Sequence, residues 1–386
     1  MQKRLQLLLA LLAFVVTSAM AQITTSGISG KISSNGETVI GATVTATHQP
    51  SGTVYRAVTN VDGRYTIQGM RPGGPYKVSI SYIGYKDKVF NNVSLSLGET
   101  ENISCSLQED AHQLQEVVVS GKAGLAASRT GAATSMTAEQ INNMPSITHG
   151  IADVARLNPQ LTVTNSGNMS FAGTNNRYNN FMIDGAANND VFGLAPSGNN
   201  GGQAGAQPVS METIEQIQVS VAPFDVRQSG FTGGAINAIT KSGTNKFHGS
   251  AYYYGYNQDL IGTKYPYLDG TGYAPKYQKQ TQYNMGVTLG GPIIKNKLFF
   301  FANYERTNKE YPNLYGVDSG NSKVNTEQAK DIMNMLQKMA EKQGVAFNDY
   351  FSNQDIYTKS DKAGLKLDWN INEFNKFAIR WSLVKA

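Results

Sequence analysis

Phe231-Thr232-Gly233-Gly234-Ala235-Ile236-Asn237-Ala238-Ile239-Thr240-Lys241-Ser242-Gly243-Thr244-Asn245 is the stretch on which the fold turns. Its glycine pair permits a sharp backbone turn and close packing. The apolar run behind it reads as a buried strand. A glycine pair before an apolar strand occurs in many folds, so its weight comes from what precedes it. Phe181-Met182-Ile183-Asp184-Gly185 reads as a buried strand ending in a tight turn at Asp184 and Gly185. Ile147, Ile151, Val154 and Leu157 form an apolar helix stripe that Asn158-Pro159 ends. Between these elements Ala195 to Gln207 is rich in Gly, Asn and Ser and reads as a mobile loop.

Downstream the period changes to two. Tyr283, Met285, Val287 and Leu289 alternate with polar or small residues, as do Leu365, Leu367, Trp369 and Ile371, and again Phe377, Ile379, Trp381 and Leu383. Tyr252, Tyr254 and Tyr256 share a face of a further strand, and Leu298 to Tyr304 makes another. A soluble sandwich shows the same alternation, but the connections separate the two cases. Lys295-Asn296 and Asn372 to Asn375 are short, whereas Asp259 to Lys279 and Thr307 to Thr358 are long. Short turns alternating with long loops is the habit of antiparallel strands in an outer-membrane barrel. The second long loop holds an amphipathic helix with Ala329, Ile332, Met333, Leu336, Met339 and Ala340 on one face, a cap at Asn325 or Thr326 and a stop at Gly344.

Upstream, residues 26–108 carry about seven short strands separated by turn signals such as Ser34-Asn35-Gly36 and Asp62-Gly63, the pattern of a two-sheet sandwich. Residues 109–121 follow as a linker. Within it Glu116, Val117, Val118 and Val119 form a short β-prone segment with no partner strand nearby in sequence, suited to pairing with the edge of another protein's sheet. Read without other context, it is equally an ordinary linker or the last strand of the sandwich. Met1 to Ala21 has the basic start, apolar run and Ala19-Met20-Ala21 site of a cleavable secretory signal.

These motifs, in this order, resemble the TonB-dependent outer-membrane receptors. Residues 26–108 resemble the carboxypeptidase-regulatory-like domain, a transthyretin-like sandwich, through Val39 to Val44, Thr59 to Tyr65 and Ser81 to Tyr85. Glu116 to Val119 resemble the family's Ton box. Residues 122–243 resemble its plug, an α+β domain, with Asp184, Gly185, Gly233 and Gly234 at the plug's structural motifs. Residues 244–386 resemble the opening strands of its transmembrane antiparallel β-barrel. Pro223 to Phe231 and Gly290 to Asn296 are similar to the Oar-like branch, which also bears the N-terminal sandwich.

The resemblance implies a mainly β protein of the outer membrane, with the sandwich and Ton box in the periplasm and lipid around the barrel. It implies energy-coupled uptake of an extracellular substrate, with the plug gated by TonB and its inner-membrane complex. A surface adhesion protein on the same scaffold is the alternative. Carbohydrate, peptide, siderophore and protein cargo stay open. The 143 residues after Gly243 carry about five strands, whereas a family barrel has roughly 22; the expectation is an incomplete barrel and a fragment of a longer protein.

Composition agrees and excludes other classes. Charged residues are 16%, with 39 Gly, 20 Tyr and 15 Phe, which fits neither a disordered nor a long helical chain. A net charge of +5, part of it from Lys3 and Arg4 in the signal, gives no reason to expect nucleic acid. Despite the sandwich's name, peptidase chemistry is not expected, because His48, His112, His149 and His248 lie far apart without metal-ligand spacing. No catalytic residue, metal or cofactor is expected, and the lone Cys105 reads as core packing beside Ile103 and Leu107.

Overall fold

The computed structural model describes residues 24–109, 117–119, 132–146, 149–164, 169–221, 231–260, 279–313, 317, 323–347 and 355–386. The signal segment 1–21, Glu116 and the run 223–230 lie outside the described residues.

The first module is a two-sheet sandwich. Its strands are β1 (Ser26–Ser34), β2 (Glu37–Thr38), β3 (Thr43–His48), β4 (Thr53–Val58), β5 (Arg64–Met70), β6 (Gly73–Ser81), β7 (Lys88–Leu95), β8 (Thr100–Asn102), β9 (Cys105–Ser106) and β10 (Val117–Val119). One sheet has the order β2-β1-β5, with β8 and β9 both parallel to β1. The other has the order β10-β7-β6-β3-β4. Period-two alternation turns Ile28, Ile32, Val44, Val78, Ile80 and Leu95 inward, and all are fully or almost fully buried. Cys105 is half-buried and packs against this core. Between β8 and β9, Ser104 accepts a hydrogen bond from the Lys31 amide.

The second module comprises β11 (Ala132–Thr137), α1 (Ala138–Asn143), α2 (Ile151–Ala155), β12 (Leu161–Val163), β13 (Met169–Phe171), β14 (Asn180–Ile183), β15 (Ala186–Ala187), β16 (Ile214–Val221) and β17 (Gly234–Thr240). Its sheet has the order β11-β16-β17-β14-β15, with β14 parallel to β17 and the other pairs antiparallel. β17 is buried along its whole length, which explains its continuous apolar and small-residue sequence. A capping box at Thr137 and Gln140 starts α1. Helix α2 is shorter than the sequence stripe: it ends at Ala155, and Leu157 is 54% exposed in the turn beyond. The glycine-rich segment after β15 is hydrogen-bonded rather than featureless, with Asn176 Nδ2 donating to the Ala195 and Pro196 carbonyls.

The third module is one antiparallel sheet in chain order: β18 (His248–Asn257), β19 (Thr281–Ile294), β20 (Leu298–Tyr311), β21 (Ile356–Asn370) and β22 (Lys376–Lys385), with α3 (Thr326–Gln343) between β20 and β21. Asn325 caps α3 through a capping box with Gln328, and Gly344 ends it at φ +67°. The sheet is inside-out relative to a soluble sandwich. Its apolar alternates are exposed, Trp381 by 56% and Leu289 by 51%, while Asn284, Thr288, Glu305, Ser360, Lys362 and Lys366 on the polar face are buried. Such strands need an apolar surrounding on one side and a polar interior on the other, the requirement of a barrel in lipid.

By contacts the chain divides into two compact units. The first holds the sandwich, the plug and the segments Thr288–Asn303 and Ala363–Leu383; the second holds Ala251–Val287, Tyr304–Lys362 and Val384–Ala386. In the second, Glu305 is buried between Lys362 at 2.6 Å and the Tyr252 hydroxyl at 2.7 Å. Among the described residues no helix is long and apolar enough to cross a membrane.

Candidate functional site: the plug anchor and the paired segment

Asp184 follows β14 with φ +48°, and Gly185 follows it at φ +82°. The left-handed step at Asp184 is one that Asp tolerates better than most residues, and Gly185 makes the second step without penalty. This turn swings the Asp184 carboxylate across to the end of β17. There Oδ1 accepts from the Thr240 amide at 2.9 Å and Oδ2 from the Thr240 hydroxyl at 2.6 Å. Two cations from barrel strands complete the cluster: Lys366 Nζ lies 3.3 Å from Oδ1 and Arg380 Nε 3.4 Å from Oδ2. Lys366 also donates to the Thr240 carbonyl at 3.0 Å. Burial alone would raise the Asp184 carboxyl, but Lys366, Arg380 and the Thr240 hydrogen bonds outweigh it and hold the group below the usual carboxylate value. The buried Asp184 carboxylate thus ties the plug to barrel strands β21 and β22.

A second polar contact lies nearby. Glu212, just before β16, sits 3.6 Å from Lys241 and accepts from the Ser250 hydroxyl at 3.0 Å.

The glycine pair sits at the other end of β17. Neither Gly233 nor Gly234 adopts a positive φ. Their role is space: a Cβ on Gly234 would run into the Phe171 ring, and one on Gly233 into the Asn179 side chain and the Tyr178 carbonyl. The Gly233 amide donates to the Tyr178 carbonyl at 2.9 Å. Of the sharp turn and close packing expected of this pair, the close packing is what Phe171, Asn179 and Tyr178 impose.

Val117, Val118 and Val119 form β10, which pairs in parallel with Lys88, Val89 and Phe90 of β7. Of the two plainer readings of this segment, the last strand of the sandwich is the one the structure draws. The partner lies one sheet edge away but far upstream, which is why no partner is evident locally. The three groups of expected residues do not converge: Val117–Val119 lie on the sandwich edge, Asp184 and Gly185 at one end of β17, and Gly233 and Gly234 at its other end. Sequence reasoning missed Lys366 and Arg380. Their signal was a long cation on the polar face of an otherwise apolar-alternating strand, where a countercharge is required. Among the described residues no group of three or more His, Cys, Asp or Glu is placed to hold a metal.

Three family models fall on the chain in order: a Carboxypeptidase regulatory-like domain over 27–108, a TonB-dependent Receptor Plug Domain over 126–236 and an Outer membrane beta barrel domain over 239–318. The TonB-dependent transporter Oar of Myxococcus xanthus is 29% identical over 273 residues, covering 68% of this chain and 24% of that protein. In domain order and in sequence this chain is similar to the TonB-dependent outer-membrane receptors, the Oar transporter among them. The probable TonB-dependent siderophore receptor PirA of Acinetobacter baumannii is 25% identical over 188 residues, 45% of this chain and 22% of that one. The solved PirA structure aligns with a TM-score of 0.42 at 20% identity over 62% of this chain and 29% of that chain. The chain thus spans about a quarter of the length of the curated relatives it matches. The matched plug and barrel models are those of outer-membrane receptors, which points to the outer membrane as its location.

Proposed function

We propose that this receptor takes up an extracellular substrate with energy supplied by TonB, and that Glu116 to Val119 are the segment TonB engages. The observation that carries the reading is the anchor at Asp184. A plug that must move is held to the barrel by ion pairs and hydrogen bonds, which exchange with water, rather than by a continuous apolar core, which would resist separation along its whole area. The coupling segment fits the same logic. β10 is an edge strand of three residues, so few backbone bonds tie it down, and its own free edge offers a template for strand addition. TonB pairing there, backed by the inner-membrane complex, would apply tension to the chain just ahead of the plug. The exposed apolar face of β18–β22 is matched to outer-membrane lipid.

The test is direct. A peptide spanning Gln108–Gly121 binds a purified TonB C-terminal domain, and deletion of Glu116–Val119 from the receptor abolishes uptake while surface binding persists. Uptake that survives the deletion, or a peptide that TonB ignores, removes the energy-coupling assignment and leaves an adhesion scaffold as the reading.

A further inference from the structure

The N-terminal sandwich is bonded to the plug and to the barrel turns at once. On the plug side, Gln216 and Gln218 stand two residues apart on β16 and so share a face. Gln216 Oε1 accepts from the Leu97 amide at 2.8 Å, and its Nε2 donates to the Leu95 carbonyl at 3.0 Å. Gln218 Nε2 donates to the Leu97 carbonyl at 2.8 Å. Both glutamines and Leu97 are buried. Two side-chain amides thus act as a strand partner for the backbone just beyond β7. Separating these groups without replacing each bond would strand buried donors and acceptors.

On the barrel side the contacts come from the β3–β4 hairpin. Arg56 grips Glu373 with two hydrogen bonds of 2.8 and 2.9 Å. Lys376 Nζ lies 4.0 Å from the Tyr55 ring centre. Asn370 Nδ2 donates to Thr53 Oγ1 at 2.9 Å, and the Asn245 amide donates to the Pro50 carbonyl at 2.9 Å. These residues flank the short turn 372–375 and the entry to β18. Arg56 and Glu373 are each about half exposed, so the charged part of this front is solvent-screened.

We propose that the sandwich is a clamp across the plug–barrel seam, and that its barrel-side contact is the one that gives way when the plug is drawn. The two fronts differ in kind. The plug front is buried and uncharged, so salt leaves it intact. The barrel front relies on the half-exposed Arg56–Glu373 pair and the Lys376–Tyr55 contact beside two neutral hydrogen bonds, so part of it weakens under screening. The same strand, β7, carries β10 along its start and the Gln216 contact at its last residue, Leu95. Tension on Val117–Val119 therefore enters the sandwich on the strand bonded to the plug, and sandwich and plug leave the barrel turns together. The clamp rests on the TonB-coupled reading only for the source of that tension; the docking itself does not depend on it.

Pulsed electron–electron resonance on the full chain tests this. In a Cys105→Ala background, one spin label goes on Ile83→Cys in the sandwich. The second goes either on Leu157→Cys in the plug or on Lys295→Cys at a barrel turn; all three positions are exposed. Both pairs should give one narrow distance. Arg56→Glu should widen the sandwich–barrel distribution at least twofold and leave the sandwich–plug pair narrow, and the charge-swapped Arg56→Glu/Glu373→Arg protein should restore it. Gln216→Ala/Gln218→Ala should widen the sandwich–plug pair. Salt raised to about 1 M, where the screening length is about 3 Å, should loosen the barrel pair first. Broad distances for both pairs in the unmodified protein, no response to either set of substitutions, or loss of the plug pair before the barrel pair would each overturn the clamp. Failure of TonB to bind the Gln108–Gly121 peptide would sink the energy-coupling reading while leaving these distances unchanged.

Discussion

At the scale of single residues, two buried groups set how the protein should answer to pH and to charge removal. Asp184 remains ionised out of water because Lys366, Arg380 and Thr240 surround it. Asp184→Asn keeps the shape and deletes the charge, leaving two half-desolvated cations unpaired. The expected loss is about 2–3 kcal/mol, below that of a fully buried pair, read as a lower denaturant midpoint. Because the carboxyl value is lowered in the folded state, its contribution is complete above the ordinary value of 3.8 and disappears as pH falls through the lowered value. His48 behaves in the opposite sense. Burial first, then the charge of Arg71, pushes its imidazole from 6.5 to about 3, and its Nδ1 is tied to the Ser51 hydroxyl at 2.7 Å. Between pH 6.5 and about 3 the unfolded chain binds a proton that the folded sandwich refuses. Stability should then drop as pH falls through that window, by about 1.4 kcal/mol per pH unit from this group. Thermal midpoints of the native chain and His48→Gln, followed from pH 7 to pH 4, check this; parallel curves for the two proteins would show that His48 does not drive the slope.

At the scale of elements, β17 separates a strained glycine from a crowded one. Gly234→Ala forces a methyl group against Phe171, itself almost fully buried, and should cost about 1–3 kcal/mol by overpacking. Gly185→Ala meets a positive φ instead and should cost about 1 kcal/mol. Equilibrium unfolding that ranked Gly185→Ala as the more damaging would contradict this assignment of roles. The same contrast shows what could be read in the sequence. Turn glycines such as Gly36 and Gly63, the box around Asn325 and Gln328, and the alternation of β3, β4 and β21 are local signals, and the chain writes them locally. Close packing at the glycine pair was legible, but its partner Phe171 was not, because that ring comes from a strand far upstream. The β10–β7 pairing was hidden for the same reason: a parallel partner lies across a long connection, and three valines say only that an edge is wanted. Of the site, Asp184 was visible as the end of an apolar strand. Its two cations were not, since pairing across the plug–barrel seam leaves no spacing rule to follow.

At the scale of the molecule, the third module reverses the usual disposition of polarity. The faces of β18–β22 that carry Trp369, Phe377 and Trp381 are exposed, whereas Lys362, Lys366 and Glu305 are buried. In water such a sheet presents an apolar surface wide enough to drive association. In lipid it is stable only if no strand edge meets hydrocarbon, because unpaired backbone groups there cost several kcal/mol each. Among the described residues the sheet order is linear, with β18 and β22 each paired on one side only. The 386 residues expressed alone should therefore bind detergent micelles through the apolar face without making a pore. They should run on a detergent gel at one position with or without boiling, and add no conductance to a planar bilayer. A faster-migrating unboiled band, or single-channel steps, would mean that these strands close a barrel on their own or by assembling copies, and the open-sheet account would fall.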